Sequence, residues 1–320
     1  LGALCLAGGL VALAGGCRGK QASERRVTVF AAASLDQVLA DLSDHLRQTQ
    51  GLDVEFEISG SQEAARKIAE YGRAADVLLV ADYRVIDWII GPEWAEWNIR
   101  YATNELVLGY TESSKFAGEI TTDNWPEVIL RPGVKVARAD ENLAPVGYQT
   151  LLCCQLASIK YADLLNGRDL QAALLERTTD DLVRPTVIGL VPLIGTRADY
   201  AFIYRSVAHG HNLPYIRLAP EVNFADAEQA EFYARARVEL NDPQRTIQGA
   251  PILYGCTVPS NAPDAEAGAE FLAVLLGEEG REIMERNGFN PLARPECDHP
   301  ERVPDRLRAL CDSTGATPEP

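Results

Sequence analysis

Two serines occupy equivalent places in two successive segments. Ser34 closes Phe30-Ala-Ala-Ala-Ser34, and Ser61 follows Gly60 in Ser59-Gly-Ser61. In each case an apolar run ends, small residues turn the chain, and a helical pattern begins. The start of a helix carries backbone N–H groups with no intrahelical partner and about half a positive charge, so it favours an anion. Ser34 and Ser61 add hydroxyl donors, and Ala33 and Gly60 contribute the neighbouring backbone. Ordinary N-capping explains either serine alone, but two such loops at adjacent strand ends open into one crevice. A third loop, Ala144-Pro145-Val146-Gly147-Tyr148, also delivers the chain to a helix start, and Tyr204 ends an apolar run with a phenol. The chemistry this implies is capture of a small anion by neutral donors, with no catalytic residue and no metal site.

Rival chemistries are poorly supplied. A serine hydrolase would need a base, but Ser61 sits in Ser-Gly-Ser-Gln-Glu rather than in a Gly-x-Ser-x-Gly elbow, and the four histidines, His45, His209, His211 and His299, fall in no triad order. His209-Gly-His211 is the best feature for a metal, and two imidazoles one residue apart on a loop read as a solvated pair. The expectation is therefore a binding protein and not an enzyme, with no cofactor beyond a bound oxyanion.

The elements that must place these residues alternate. Residues 27–30 read as a buried strand, and Leu35, Val38, Leu39, Leu42 and Leu46 follow at helical spacing; residues 54–58 then alternate as a strand before a helix over 62–71. A third strand at 77–80, a strand at 105–110 and a second series from 134 to 204 complete an α/β pattern. The expected fold class is α/β, two lobes with a mostly parallel, helix-flanked sheet in each and two crossing strands between them. The divisions expected are a signal at 1–16, a linker at 17–26, the first lobe at 27–108, the second at 109–250, a return to the first at 251–290, and an irregular Pro-containing tail at 291–320. Such lobes close on a ligand by hinge motion.

At 320 residues, 47% hydrophobic and 24% charged, the chain can build a sizeable core. Its net charge of −16 excludes a nucleic-acid surface and opposes long-range steering of an anion, so any anion affinity must be local. The apolar run over residues 1–13, the small residues Ala14-Gly15-Gly16 and then Cys17 have the anatomy of a signal ending in a lipobox. Cys17 is thus the expected lipid anchor, with the signal beginning upstream of Leu1 and the mature protein tethered at the outer face of the cell membrane. Cys297 and Cys311 are the pair most suited to a disulfide.

Taken together, these segments resemble the periplasmic molybdate- and tungstate-binding proteins of ABC transporters, in particular the archaeal-type branch. The resemblance is carried by Phe30-Ala-Ala-Ala-Ser34-Leu35, Gly60-Ser61 with Arg66-Lys67, Ala75-Asp-Val77 with Ala81-Asp-Tyr83, Asn104-Glu-Leu-Val-Leu-Gly-Tyr110, Pro145-Val-Gly-Tyr148, Asp199-Tyr-Ala-Phe-Ile-Tyr204 and Pro251-Ile-Leu-Tyr-Gly255, in the family's order. It implies the two-lobed type II periplasmic binding protein fold, with Ser34, Ser61, Tyr204 and nearby N–H groups holding molybdate or tungstate and a membrane permease receiving it; a monomer is the default expectation. It also exposes a departure. The archaeal branch completes six-fold coordination with two carboxylates, one directly before the Pro of Pro-x-Gly-Tyr. Here that residue is Ala144, and the stretch expected to hold the second, Leu182-Val-Arg184-Pro-Thr186, has no acid. Two expectations follow: the ion stays four-coordinate, and Arg184 faces the cleft to supply a charge-assisted hydrogen bond. Sulfate and phosphate are then the alternative ligands, and Glu141 is a substitute ligand of last resort.

Overall fold

A computed structural model describes residues 25–241 and 244–313. The expected signal, Cys17 and most of the linker lie outside the described residues. The chain opens with β1 (Arg25–Ala32), α1 (Asp36–Gln50), β2 (Leu52–Ser59), α2 (Ser61–Ala69), β3 (Val77–Val80) and β4 (Ile99–Thr103). It then crosses to β5 (Leu106–Tyr110), β6 (Val136–Ala139), α3 (Pro145–Lys160), β7 (Val183–Arg184), β8 (Tyr200–Tyr204), α4 (Arg205–Gly210) and β9 (Tyr215–Arg217). A hairpin, β10 (Arg237–Asn241) with β11 (Gln244–Gln248), precedes the return through β12 (Leu253–Thr257), α5 (Ala265–Leu276), α6 (Glu278–Arg286), β13 (Asn290–Cys297) and β14 (Asp312–Ser313).

Two sheets result. The first has the order β14-β13-β4-β12-β3-β1-β2 and the second β7-β6-β8-β5-β9. In the first sheet β1 pairs in parallel with both β2 and β3, whereas β12 runs antiparallel to β3 and β4. Alternation along the buried strands serves two cores. Val27, Val29 and Ala31 of β1, with Val77 and Leu79 of β3, join the main core, while Phe30, Leu78 and Val80 turn to the other face against Ala64, Ala65 and Ile68 of α2. A sheet covered on both faces requires this pattern, since successive side chains point to opposite sides.

Two boundaries differ from the sequence expectation. The first lobe does not extend to residue 108: β5 pairs with β8 and β9 in the second sheet, so the chain changes lobes at Asn104 and Glu105. The described part of the tail after 290, up to residue 313, is in part regular as well. Strand β13 pairs antiparallel with β4, from Asn290 opposite Thr103 to Cys297 opposite Ile99. Its prolines are tolerated because the register shifts between Pro291 and Glu296, and a bulge accommodates residues that lack an N–H. Cys297 and Cys311 remain buried thiols beside one another, and burial pushes the Cys311 thiol up to about 12.

Candidate functional site

The carboxyl ends of β1, β2 and β8 and the start of α3 meet at one small cavity, about 210 Å³ counting the part open to solvent. The first lobe lines it with Ala32, Ala33 and Ser34 after β1, Ser59, Gly60 and Ser61 after β2, and Ala81 after β3. The second lobe supplies Ala144, Pro145 and Val146, then Thr186, Val187 and Tyr204. None of these side chains is charged.

Three helical segments begin at this cavity, and none is capped by a side chain. The residue before the short 3-10 turn Ala33–Leu35 that leads into α1 is Ala32, the cap of α2 is Gly60, and the cap of α3 is Ala144. Ser34 and Ser61 therefore lie inside the first turn and are not N-caps, which removes the ordinary explanation for both. The first N–H groups of a helix lack intrahelical partners, and an anion between the lobes would satisfy them; on α3 this leaves Val146, since Pro145 has no N–H and the Gly147 N–H goes to the Ala144 carbonyl.

The hydroxyls are held by specific partners. Ser61 Oγ accepts from the Ala81 backbone N at 3.0 Å, and Ser34 Oγ lies 2.7 Å from Tyr254 Oη. Tyr204 Oη donates to Gln149 Oε1 at 2.7 Å. The expected phenol thus reaches the cavity with its hydrogen directed at Gln149; turning the Gln149 amide over would make that side chain the donor and release the hydrogen for a ligand. Burial raises the pKa of Tyr204 and of Tyr254 well above the usual phenol range, so both remain neutral hydroxyls.

The lobes touch over the cavity. A Cβ built on Gly60 would lie 2.0 Å from the Leu143 carbonyl oxygen, so only glycine permits this approach. Gln62 Nε2 donates to the Glu141 carbonyl at 3.0 Å. Deeper, Tyr148 Oη of α3 donates to Asp82 Oδ2 at 2.7 Å, and Arg84 grips the same carboxylate through Nε at 3.0 Å and Nη2 at 2.7 Å. Burial disfavours the Arg84 charge, but the adjacent Asp82 carboxylate more than offsets it and holds the guanidinium pKa above its ordinary value.

Ser34, Ser61, Ala33, Gly60, Pro145, Val146 and Tyr204 are brought together, and two expected residues are not. Arg184 turns its Nη1 onto the carbonyls of Asp181 and Val183, at 3.0 and 2.7 Å, because β7 pairs with β6 and carries its side chain away; Thr186 and Val187 line the cavity in its stead. Gly147 lies behind the first turn, where a Cβ would fall 2.5 Å from the Asp140 carbonyl, so its role is packing. Glu141 forms an ion pair with Arg138.

The comparisons with known proteins agree with this architecture. The model for "Bacterial extracellular solute-binding protein" matches residues 27–290. The chain belongs to that family. The binding protein is also 34% identical over 316 residues to the molybdate/tungstate-binding protein WtpA of Pyrococcus abyssi, with 90% of each chain covered. Among solved structures, the sulfate-binding protein SubI of Mycobacterium tuberculosis H37Rv superposes with a TM-score of 0.61 at 14% identity, covering 84% of this chain and 88% of that one. The Azotobacter vinelandii periplasmic molybdate-binding protein does so with a TM-score of 0.58 at 16% identity, covering 82% and 98%. The last two show the two-lobed binding-protein fold.

Sequence reasoning did not single out Ser59, Ala81, Gln149, Asn104 or Tyr254 as site residues. Asn104 and Tyr254 are 150 positions apart, and no local pattern marks them as partners.

Proposed function

We propose that this extracellular binding protein is the receptor of an ABC importer and captures a tetrahedral oxyanion, with molybdate or tungstate first, as a four-coordinate ion held by neutral donors. The observation that carries the reading is the convergence of three uncapped helix starts on one small cavity with no charged lining. The name of the Pyrococcus abyssi relative supports the choice of ion. The protein hands its ligand to a permease and performs no chemistry on it. Ser61 Oγ already accepts a backbone hydrogen, and no histidine lines the cavity to serve as its base. His209 Nε2 lies 2.9 Å from the Arg286 carbonyl, a partner that a metal ion would have to displace. The receptor acts as a monomer tethered through lipid on Cys17.

Sulfate is the second reading, favoured by Ala144 and by Thr186 and Val187. At these cavity positions no carboxylate stands ready to enter the coordination shell of a metal centre. Calorimetric titration with molybdate, tungstate, sulfate and phosphate tests both. Tight binding of molybdate or tungstate supports the first, preference for sulfate moves the protein to the second, and no binding of any of the four overturns the assignment.

A further inference from the structure

Asn104 lies where the chain leaves the first sheet for the second, between β4 and β5. Its amide orientation is set by the backbone: Oδ1 accepts from Glu105 N at 2.9 Å and from Ser206 N at 3.4 Å. The amino side therefore faces Ser206 Oγ at 2.8 Å and Tyr254 Oη at 3.3 Å. Tyr254 is fully buried, and the partners of its hydroxyl among the described residues are Asn104 Nδ2 and Ser34 Oγ. A phenol carries one hydrogen. With Asn104 donating to the oxygen, that hydrogen goes to Ser34, because a buried hydroxyl left unmatched is costly. Ser34 Oγ then accepts, and its own hydrogen turns to the cavity that Ser34 lines.

We propose that Asn104 and Tyr254 are positioning residues of the binding site, forming a one-way relay from the Glu105 N–H through Asn104 and Tyr254 that fixes Ser34 as a donor to the bound oxyanion. Successive bonds in such a chain polarise one another, so Ser34 presents a stronger donor than an isolated serine would. Ser61 is set the same way from a different source, the Ala81 N–H. The relay also begins at the lobe crossover. The Asn104 amide holds Tyr254 on β12 and Ser206 on α4 at once, so the geometry of the crossing strand and the polarity of the site are set by one side chain. This inference rests on the cavity being an oxyanion site.

The test is a double-substitution cycle on the purified protein, read as molybdate and sulfate affinity by calorimetry, with the melting temperature of the ligand-free variants as a separate measure of folding. Tyr254→Phe is expected to weaken binding about five- to twentyfold, in line with impairing one charge-assisted hydrogen bond. Combined with Ser34→Ala it should weaken binding no more than about twofold beyond Ser34→Ala alone, since residues acting through one contact are not additive. Losses that multiply in the double variant, or unchanged binding by Tyr254→Phe, overturn the relay while leaving the function intact. A purely structural role would lower the melting temperature and multiply with Ser34→Ala. If Tyr254→Phe gives no folded protein, the same cycle with Asn104→Ala in its place decides between the same outcomes. Failure of the unsubstituted protein to bind any of the four oxyanions overturns both this relay and the function on which it rests.

Discussion

Gly60 shows how much depends on a missing side chain. A methyl group there would meet the Leu143 carbonyl of the opposite lobe, in the arrangement where the lobes touch. Overpacking of this kind costs about 1–3 kcal/mol, and here the cost falls on the closed state alone. Gly60→Ala should therefore weaken ligand binding roughly ten- to a hundredfold, with the melting temperature of the ligand-free protein nearly unchanged; a parallel loss of stability would show that Gly60 serves folding instead. Arg184 makes the opposite case. Its guanidinium closes on carbonyls of its own segment, so Arg184→Ala should leave affinity within about twofold, the usual range for a surface change away from a site. A tenfold loss in titration would mean that the side chain reaches the ligand.

Between elements, the contact of Tyr148 on α3 with Asp82 after β3 ties the second lobe to the first. Side-chain exposure is only 13% for Arg84 and 5% for Asp82, so the ion pair is interior. Removing one member strands the other: Arg84→Met should destabilise the protein by about 3–5 kcal/mol in denaturant titration, whereas a loss under 1 kcal/mol would show that water reaches Asp82 freely. A more exposed pair seats α2 on β2. Hydrogen bonds from Arg73 and then Lys67 hold the Glu57 carboxyl down to about 2, well below the 4.5 of a free glutamate. Between those values the unfolded chain binds more protons than the folded one, so stability rises with pH across that window and is lost as pH falls through it. Because the Arg73 and Glu57 side chains are 48% and 41% exposed, Glu57→Gln should cost at most about 1 kcal/mol at pH 7 and clearly less at pH 2, where the folded carboxyl is half protonated, as read from melting at the two pH values. The elements that carry Ser34 and Ser61 were legible in the sequence because a buried strand, small residues and a 3.6-residue apolar period follow one another twice. Strand β13 was not, because Pro291 and Pro295 read as punctuation and only pairing with β4 explains how they are absorbed. The site was legible as far as its loops. Arg184 was misplaced because its direction depends on the register of β7 with β6, and Tyr254 went unnoticed because its partner comes from a distant strand.

At the scale of the molecule, a net charge of −16 surrounds a cavity whose lining carries none. Attraction to an anion is therefore short-ranged, and added salt should leave affinity unchanged or raise it slightly by screening repulsion from the acidic surface. The first sheet also takes both ends of the described chain, since β1 begins at Arg25 and β13 and β14 close the opposite edge. If Cys17 carries the proposed lipid, the eight residues from it to Arg25 could reach at most about 25–30 Å. Such a tether would enter the first lobe, at β1. That lobe would then be the tethered jaw, and the second lobe, which the crossing strands join to it, would be the moving one. On that arrangement, opening would carry Pro145, Val146 and Tyr204 away while Ser34 and Ser61 stay with the tethered half, and the serines would be the last to release a bound ion.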